Sequence, residues 1–466
     1  MRKGGVAGAA LALLALGGCA ALAPSKKAAP PIAINEDPYP STYAPYPGVP
    51  TLVRNVTIFD GEGGRIERGW VSFAGGVVTG IGDGDLEPPA GTQVIDGTGK
   101  FVTPGIIDVH SHLGDYPSPG TESHSDGNEA TSPARPEVWA EHSVWPQDPG
   151  FSRALINGGV TALQILPGSA NLFGGRSVTL KNVPARTAQG MKFPGAPYGL
   201  KMACGENPKR VYGSKGNMPQ TRMGNIALTR QTFIKAQAYK RKWDKYSANG
   251  GEMPERDLAM DTLKDVLAGK ILVHNHCYRA DEMATMIDLS KEFGYQITAF
   301  HHAVEAYKVA DLLAANGTCA AMWADWYGFK MEAYDGIKEN IPFVHNAGAC
   351  AIVHSDDANG IQRLNQEAAK ALADGQRAGV PGLTDAMAWT WLSANPAKAL
   401  GIFDRTGSLR PGKMADLVLW NAEPMSIYAR PERVWIDGAL MYDSNDPGRR
   451  PVSDFELGQP GEGDVK

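Results

Sequence analysis

Between residues 105 and 356 the chain repeats one pattern, a short apolar run followed by a longer stretch with helical periodicity. The apolar runs are "GIIDVHSH" (105–112), "VTALQIL" (160–166), "SVTLKN" (177–182), "YGLKMAC" (198–204), "KILVHNHC" (270–277), "QITAFHH" (296–302), "TCAAMWA" (318–324) and "CAIVHSD" (350–356). Segments between and after them include "DEMATMIDLSKEFG", "AVEAYKVADLLAANG" and "LNQEAAKALADGQRAG", each closing on a glycine suited to a helix C-cap. Alternating strands and helices build parallel βαβ units, and eight strands are what a closed (β/α)8 TIM barrel requires. The pattern predicts an α/β fold with that barrel over residues 105–403.

A chain of 466 residues exceeds the ~250–300 at which a single core stops growing, so a smaller companion unit is expected. Its strands are legible on both sides of the barrel. Residues 51–104 hold short alternating runs closed by Gly or Asp, and a similar block returns over 404–445, predicting one composite β-sandwich built from both ends. A tail, 446–466, follows. The formal net charge of −5 gives no general reason to expect nucleic acid as a partner. An insertion of about 65 residues precedes "KILVHNHC", with ten Lys or Arg against one acid over 209–245. It reads either as a solvated helix face or as a cover over the barrel mouth that attracts an anion.

The N-terminus has a different character. "MRKGGVAGAALALLALGGCA" joins a basic start to an apolar run and small residues, the signature of an export signal over 1–19. A cysteine directly after "LGG" resembles the bacterial lipobox, which makes Cys19 a candidate lipidation site. Ala20 in place of an aspartate favours an outer-membrane anchor facing the periplasm. The Pro-rich residues 20–50 would be the linker to a body on a tether. Four further cysteines, Cys204, Cys277, Cys319 and Cys350, could form two bridges in an oxidising compartment, with no connectivity readable.

Catalytic side chains of such barrels sit at the C-terminal ends of the strands. Here those ends carry His110 and His112, Lys201, His274 and His276, His301 and His302, and Asp356. Strand alternation places residues i and i+2 on one face, so His110 and His112 point the same way and Ser111 points oppositely. Two imidazoles so placed can grip one divalent cation, and zinc favours such ligands.

These motifs together resemble the amidohydrolase superfamily of metal-dependent hydrolases, in particular its imidazolonepropionase-like and dipeptidase-like members. The resemblance rests on "VTPGIIDVHSH", "HCYRADE", "HHAVEAY", "HSDD", "SANPAKALGI" and "GSLRPGKMADLVLW", and spans about four-fifths of the chain. It implies a metal site of His110, His112, His276, His302 and Asp356, with His274 an alternative at the fifth strand. It further implies that Lys201, carboxylated on its amine, bridges two ions. Left as an ammonium, Lys201 would pair with Glu206 or a substrate carboxylate, and one ion would remain. Tyr278 and Arg279, just past the fifth strand, are candidates for reading a substrate carboxylate.

The implied reaction is hydrolysis of a C–N bond, amide-type and either linear, dipeptide or cyclic, by metal-activated hydroxide. Asp356 would accept the proton and return it to the leaving nitrogen. Deamination by the same machinery is the enzymatic alternative, and a non-catalytic envelope lipoprotein on a degenerate barrel is the other. "GSLRPGKM" fails as a phosphate loop because Met414 stands where Ser or Thr is needed, and the chain has no G-x-S-x-G elbow.

Overall fold

The computed structural model describes Met1, residues 34 and 35, and residues 37–449. Cys19 and the export signal lie outside the described residues, as does the tail beyond Arg449. Among the described residues no helix is long and apolar enough to cross a membrane.

Five strands come first: β1 (Thr51–Phe59), β2 (Arg65–Ala74), β3 (Val77–Asp83), β4 (Gln93–Asp96) and β5 (Phe101–Pro104). Eight more follow: β6 (Ile106–Ser111), β7 (Val160–Ile165), β8 (Phe173–Lys181), β9 (Gly199–Ala203), β10 (Leu272–His276), β11 (Ile297–His301), β12 (Cys319–Met322) and β13 (Ala351–Val353). The last three are β14 (Leu417–Trp420), β15 (Pro431–Ile436) and β16 (Ala439–Asp443).

Strands β6 to β13 hydrogen-bond in sequence order as one eight-stranded barrel sheet. Burial on both faces explains why its strands read as continuous apolar runs rather than alternating ones. The seam between β13 and β6 is closed by few bonds. The Asp356 N–H donates to the His110 carbonyl at 3.0 Å, and the Asp108 carboxylate accepts from the Ser355 N–H at 3.2 Å and from its hydroxyl. Burial pushes the Asp108 carboxyl up to about 7 against these hydrogen bonds.

One strand departs from the parallel pattern. β8 runs antiparallel to both β7 and β9. Residues 166–172 that join β7 to β8 are too few for a crossover, which takes a dozen or more, so the chain can only turn back.

The terminal segments share a sheet with the order β16-β15-β14-β5-β1-β2-β3, and β4 adds to β1. β14 pairs antiparallel with β5, which is how the two ends of the chain meet. Val53, Val71, Phe73, Leu417, Leu419 and Trp435 fill a core of their own beneath it. At Asn55 β1 takes a φ of 57° and its register shifts, while its partner changes from β4 to β5.

The stretch read as a linker through residue 50 is bound to the barrel from Asp37 onward. Lys192, only 5% exposed, draws in the Tyr39 carbonyl at 2.6 Å, Asp37 at 3.0 Å and Glu141 at 3.1 Å. The Tyr43 hydroxyl donates to Asp437 at 2.5 Å, beside a second buried lysine, Lys181. Burying an ammonium without such partners is prohibitive, so this segment completes the body instead of hanging from it.

The insertion forms helices Glu206–Gly213, Arg222–Asn249 and Leu258–Leu267. Phe233 of the long helix enters the core between Phe173 and Tyr295, at ring distances of 5.4 and 4.5 Å, a burial contributing roughly 2–3 kcal/mol. Past Arg222, which turns in to the buried carboxylates of Glu282 and Glu332, its cations lie outward, with Arg230 on Glu292 and Lys240 on Asp244. The basic run is thus a solvated helix face. What the insertion brings to the barrel mouth is Glu206 and Asn207.

The four cysteines pair as Cys204–Cys277 and Cys319–Cys350. The first bridge joins the ends of β9 and β10 beside His276, and the second joins the start of β12 to the residue before β13.

Candidate metal centre

Asp356 lies where the residues named from the sequence converge. Its Oδ1 is 3.2 Å from Nε2 of His110 and 3.1 Å from Nε2 of His112, and its Oδ2 is 3.8 Å from Nε2 of His302. The Lys201 ammonium nitrogen is 3.4 Å from His110 Nε2. His276 stands one ring further, 4.7 Å between centroids from His302, and its Nε2 meets the Asn207 amide at 3.3 Å. His354, two residues before Asp356, joins His110 and His302 in a second group able to hold an ion. The "HSDD" motif offers His354 as a supporting candidate at best, and pleat alternation does not place it beside Asp356, which lies past the end of β13 at a φ of 56°.

Two of these residues depend on unusual backbone. His302 has a φ of 67° and Asp356 a φ of 56°, the left-handed region that non-glycine residues rarely enter. Alternation along β11 would send His301 and His302 to opposite faces. The left-handed turn re-aims His302, and both rings lie against His110, at 4.8 and 4.6 Å. Trp323 stacks on His302 at 4.5 Å and donates its indole N–H to the Ser355 carbonyl at 2.9 Å, so one side chain braces both turns.

Electrostatics follow from burial. Desolvation holds His110, His276, His301 and His302 well below the usual imidazole range, with Lys201 and neighbouring rings adding to it for most of them. His274 falls to about 3 and His354 to about 4, again chiefly by burial. Burial pushes the Asp356 carboxyl up, but the surrounding imidazoles of His302, His112 and His354 outweigh it and hold the group well below the ordinary carboxylate range. Burial lowers Lys201 to about 7 against the pull of Asp356. Lys201 does not pair with Glu206, whose carboxylate is 3.4 Å from Lys330 instead.

The donor set fits a divalent cation. His112 donates Nδ1–H to the Leu166 carbonyl at 2.8 Å, which turns its Nε2 lone pair on a carboxylate oxygen 3.1 Å away. Two acceptors facing each other at that distance repel unless a proton or a metal cation sits between them. The buried Nδ1 atoms of His276, His302 and His354 also have no hydrogen-bond partner among the described residues. Such a set of imidazoles with one carboxylate suits zinc and its neighbours.

Around the mouth, Tyr278 is buried, with its ring edge-on to His276 at 4.6 Å. Arg279 is committed elsewhere, in a bidentate pair with Asp281 at 2.9 and 3.0 Å on an exposed helix start. The cation beside Tyr278 is Lys330, 4.3 Å over its ring and 3.0 Å from the Asn207 carbonyl oxygen. Nothing in the local sequence around Lys330 or Asn207 marks them, since one arrives from a loop and the other from the first turn of an inserted helix.

Comparison with known proteins agrees with this geometry. The model of the "Amidohydrolase family" matches residues 101–441. "Amidohydrolase tasK" of Hapsidospora irregularis is 33% identical over 435 residues, 85% of this chain and 43% of that protein, so the chain spans less than half of that relative's length. An imidazolonepropionase of Mesorhizobium japonicum is 24% identical over 79% of this chain and 91% of its own. The crystal structure of an amidohydrolase from Thermotoga maritima superposes with a TM-score of 0.78 at 35% identity, covering 84% of this chain and all of the other. With its barrel, its ring of strand-end imidazoles and these relatives, the chain belongs to the amidohydrolase family.

Proposed function

We propose that this amidohydrolase is a metal-dependent hydrolase of an amide-type C–N bond in a small, carboxylate-bearing substrate. The observation that carries the proposal is the Asp356 carboxylate facing the Nε2 atoms of His110 and His112 at 3.2 and 3.1 Å. His110, His112, His276, His302 and Asp356 would hold the ion, with zinc the first choice. A divalent ion bound there supplies a water acidified toward neutrality and a Lewis acid for the scissile carbonyl. Lys201 supports a second ion, because a buried amine lowered to about 7 is substantially neutral at physiological pH, the form that adds carbon dioxide to give a carbamate.

Asp356 accepts the proton of the attacking water and delivers it to the leaving nitrogen. Its low proton affinity keeps it ionised beforehand. Trp323 and Phe329, 6.1 Å apart, wall the approach. Lys330 and the Tyr278 hydroxyl, which burial keeps protonated, are placed to receive a carboxylate. Export with a lipid anchor at Cys19 completes the reading, and the two disulfides support an oxidising compartment.

The test is metal analysis of the purified protein, followed by a dipeptide and N-acyl amino acid library screened with the zinc-loaded form. Bound divalent metal and release of free amine are expected, both lost in His110→Ala. Protein that binds no divalent metal would overturn the reading. A metal-loaded enzyme silent on both libraries would move the substrate class to cyclic amides or to deamination.

A further inference from the structure

Two histidines at the strand ends remain without a role in the ligand set, His274 and His301. Both are fully buried and both are joined to the centre. Nδ1 of His110 lies 2.8 Å from Nδ1 of His301, and Nε2 of His301 lies 2.9 Å from Nδ1 of His274. Three imidazoles therefore form a line under the site that begins at a candidate ligand. It ends at His274 Nε2, a buried atom with no hydrogen-bond partner among the described residues.

Each N···N contact holds one proton. If His110 offers the Nε2 lone pair to a metal, its proton is on Nδ1, so His301 must accept at Nδ1 and carry its own proton on Nε2. His274 then accepts at Nδ1 and carries its proton on Nε2. One choice at His110 thus fixes three tautomers. The reverse order would put a proton on His110 Nε2, the atom that faces Lys201 at 3.4 Å. That atom also faces the Asp356 carboxylate at 3.2 Å, so without a metal either order finds a partner there, and a bound cation, which needs the lone pair, selects the first.

We propose that His301, held in turn by His274, is a positioning residue that presents His110 to the metal with its Nε2 lone pair free and its ring fixed. The inference rests on His110 being a metal ligand. Partners of this kind usually are carboxylates or backbone carbonyls, and their loss typically costs 10–100-fold in metal affinity. Here a second imidazole, His301, takes that place.

The test measures zinc affinity by competition with a chromogenic chelator in the full chain and its variants. His301→Phe removes the acceptor and should weaken binding roughly 10–100-fold. His301→Asn, whose Oδ1 can replace Nδ1 as acceptor, should recover most of it. His274→Leu cuts only the outer link and should cost less than His301→Phe, while also guarding against a misfolded Phe variant. A second readout is the cobalt(II)-loaded protein, in which the His110 Nδ1 proton should give a paramagnetically shifted, slowly exchanging NMR signal that disappears in His301→Phe. Unchanged affinity and an unchanged signal in His301→Phe, with affinity lost in His110→Ala, would overturn this inference alone. No binding by the wild type would overturn the metal reading together with it.

Discussion

The backbone N–H of His302 donates to Nε2 of His354 at 3.2 Å, and His302 itself stands at a φ of 67°. The left-handed turn that brings the imidazole to the centre is therefore pinned by a second imidazole from the end of β13, two strands away in the barrel. Asp356 repeats the arrangement with a φ of 56° and its N–H on the His110 carbonyl. In an L-residue such backbone costs roughly 1–2 kcal/mol. Glycine avoids that cost. Asp356→Gly should melt higher than Asp356→Ala, equivalent to about 1 kcal/mol, while both lose activity. Equal melting temperatures would show that the turn stores no strain.

Acid should destabilise the metal-free protein well above the pH of ordinary carboxylate titration. His274 and His354 titrate at about 3 and about 4 when folded, against ~6.5 unfolded. Between those values the unfolded chain binds more protons than the native one, so stability falls as pH drops through 6.5 and levels only below the folded values. The slope is about 1.4 kcal/mol per pH unit for each such histidine. Thermal melts in chelator from pH 7 to pH 4 should fall steeply and then ease in His354→Phe. A flat profile would contradict the burial of neutral rings.

Lys330 gives the substrate reading a specific handle. Lys330→Met should raise KM for carboxylate-bearing substrates about 10–100-fold, the worth of a charge-assisted hydrogen bond, and change kcat less. The corresponding carboxamides should be affected little. Equal losses on acids and amides would assign Lys330 a structural role through Asn207 and Glu206.

The bridges should act on stability through the length of chain they close. Cys204–Cys277 spans 73 residues and Cys319–Cys350 spans 31, for which loop-closure entropy gives about 4 kcal/mol each. Cys204→Ala/Cys277→Ala should lower the urea midpoint accordingly. It should also weaken metal binding more than Cys319→Ala/Cys350→Ala, because only the first pair flanks His276. Indifference of both properties to the first pair would mean that the strand ladder alone holds the β9 and β10 ends.

Much of the centre was legible because barrel geometry is periodic. The pleat alone says that His110 and His112 share a face, and strand ends alone say where Lys201, His276 and Asp356 would gather. The doubtful choices were those where two imidazoles stood within one strand end. At β10 both His274 and His276 face inward, and only depth in the barrel separates the inner support from the outer candidate ligand. At β11 the pleat misleads, since a single left-handed residue turns His302 back toward the centre.

The amino-acid sequence by itself thus determined the barrel, its composite terminal sheet and the residues that crowd Asp356, because apolar period and strand parity are local properties of a chain. Tertiary structure decided the direction of β8, the docking of residues 37–50 on Lys192 and Asp437, and the pairing of the cysteines. It also decided the arrival of Lys330 and Asn207 beside Tyr278. These depend on where loops travel and which buried charges need partners, and such demands arise only once distant segments are packed together.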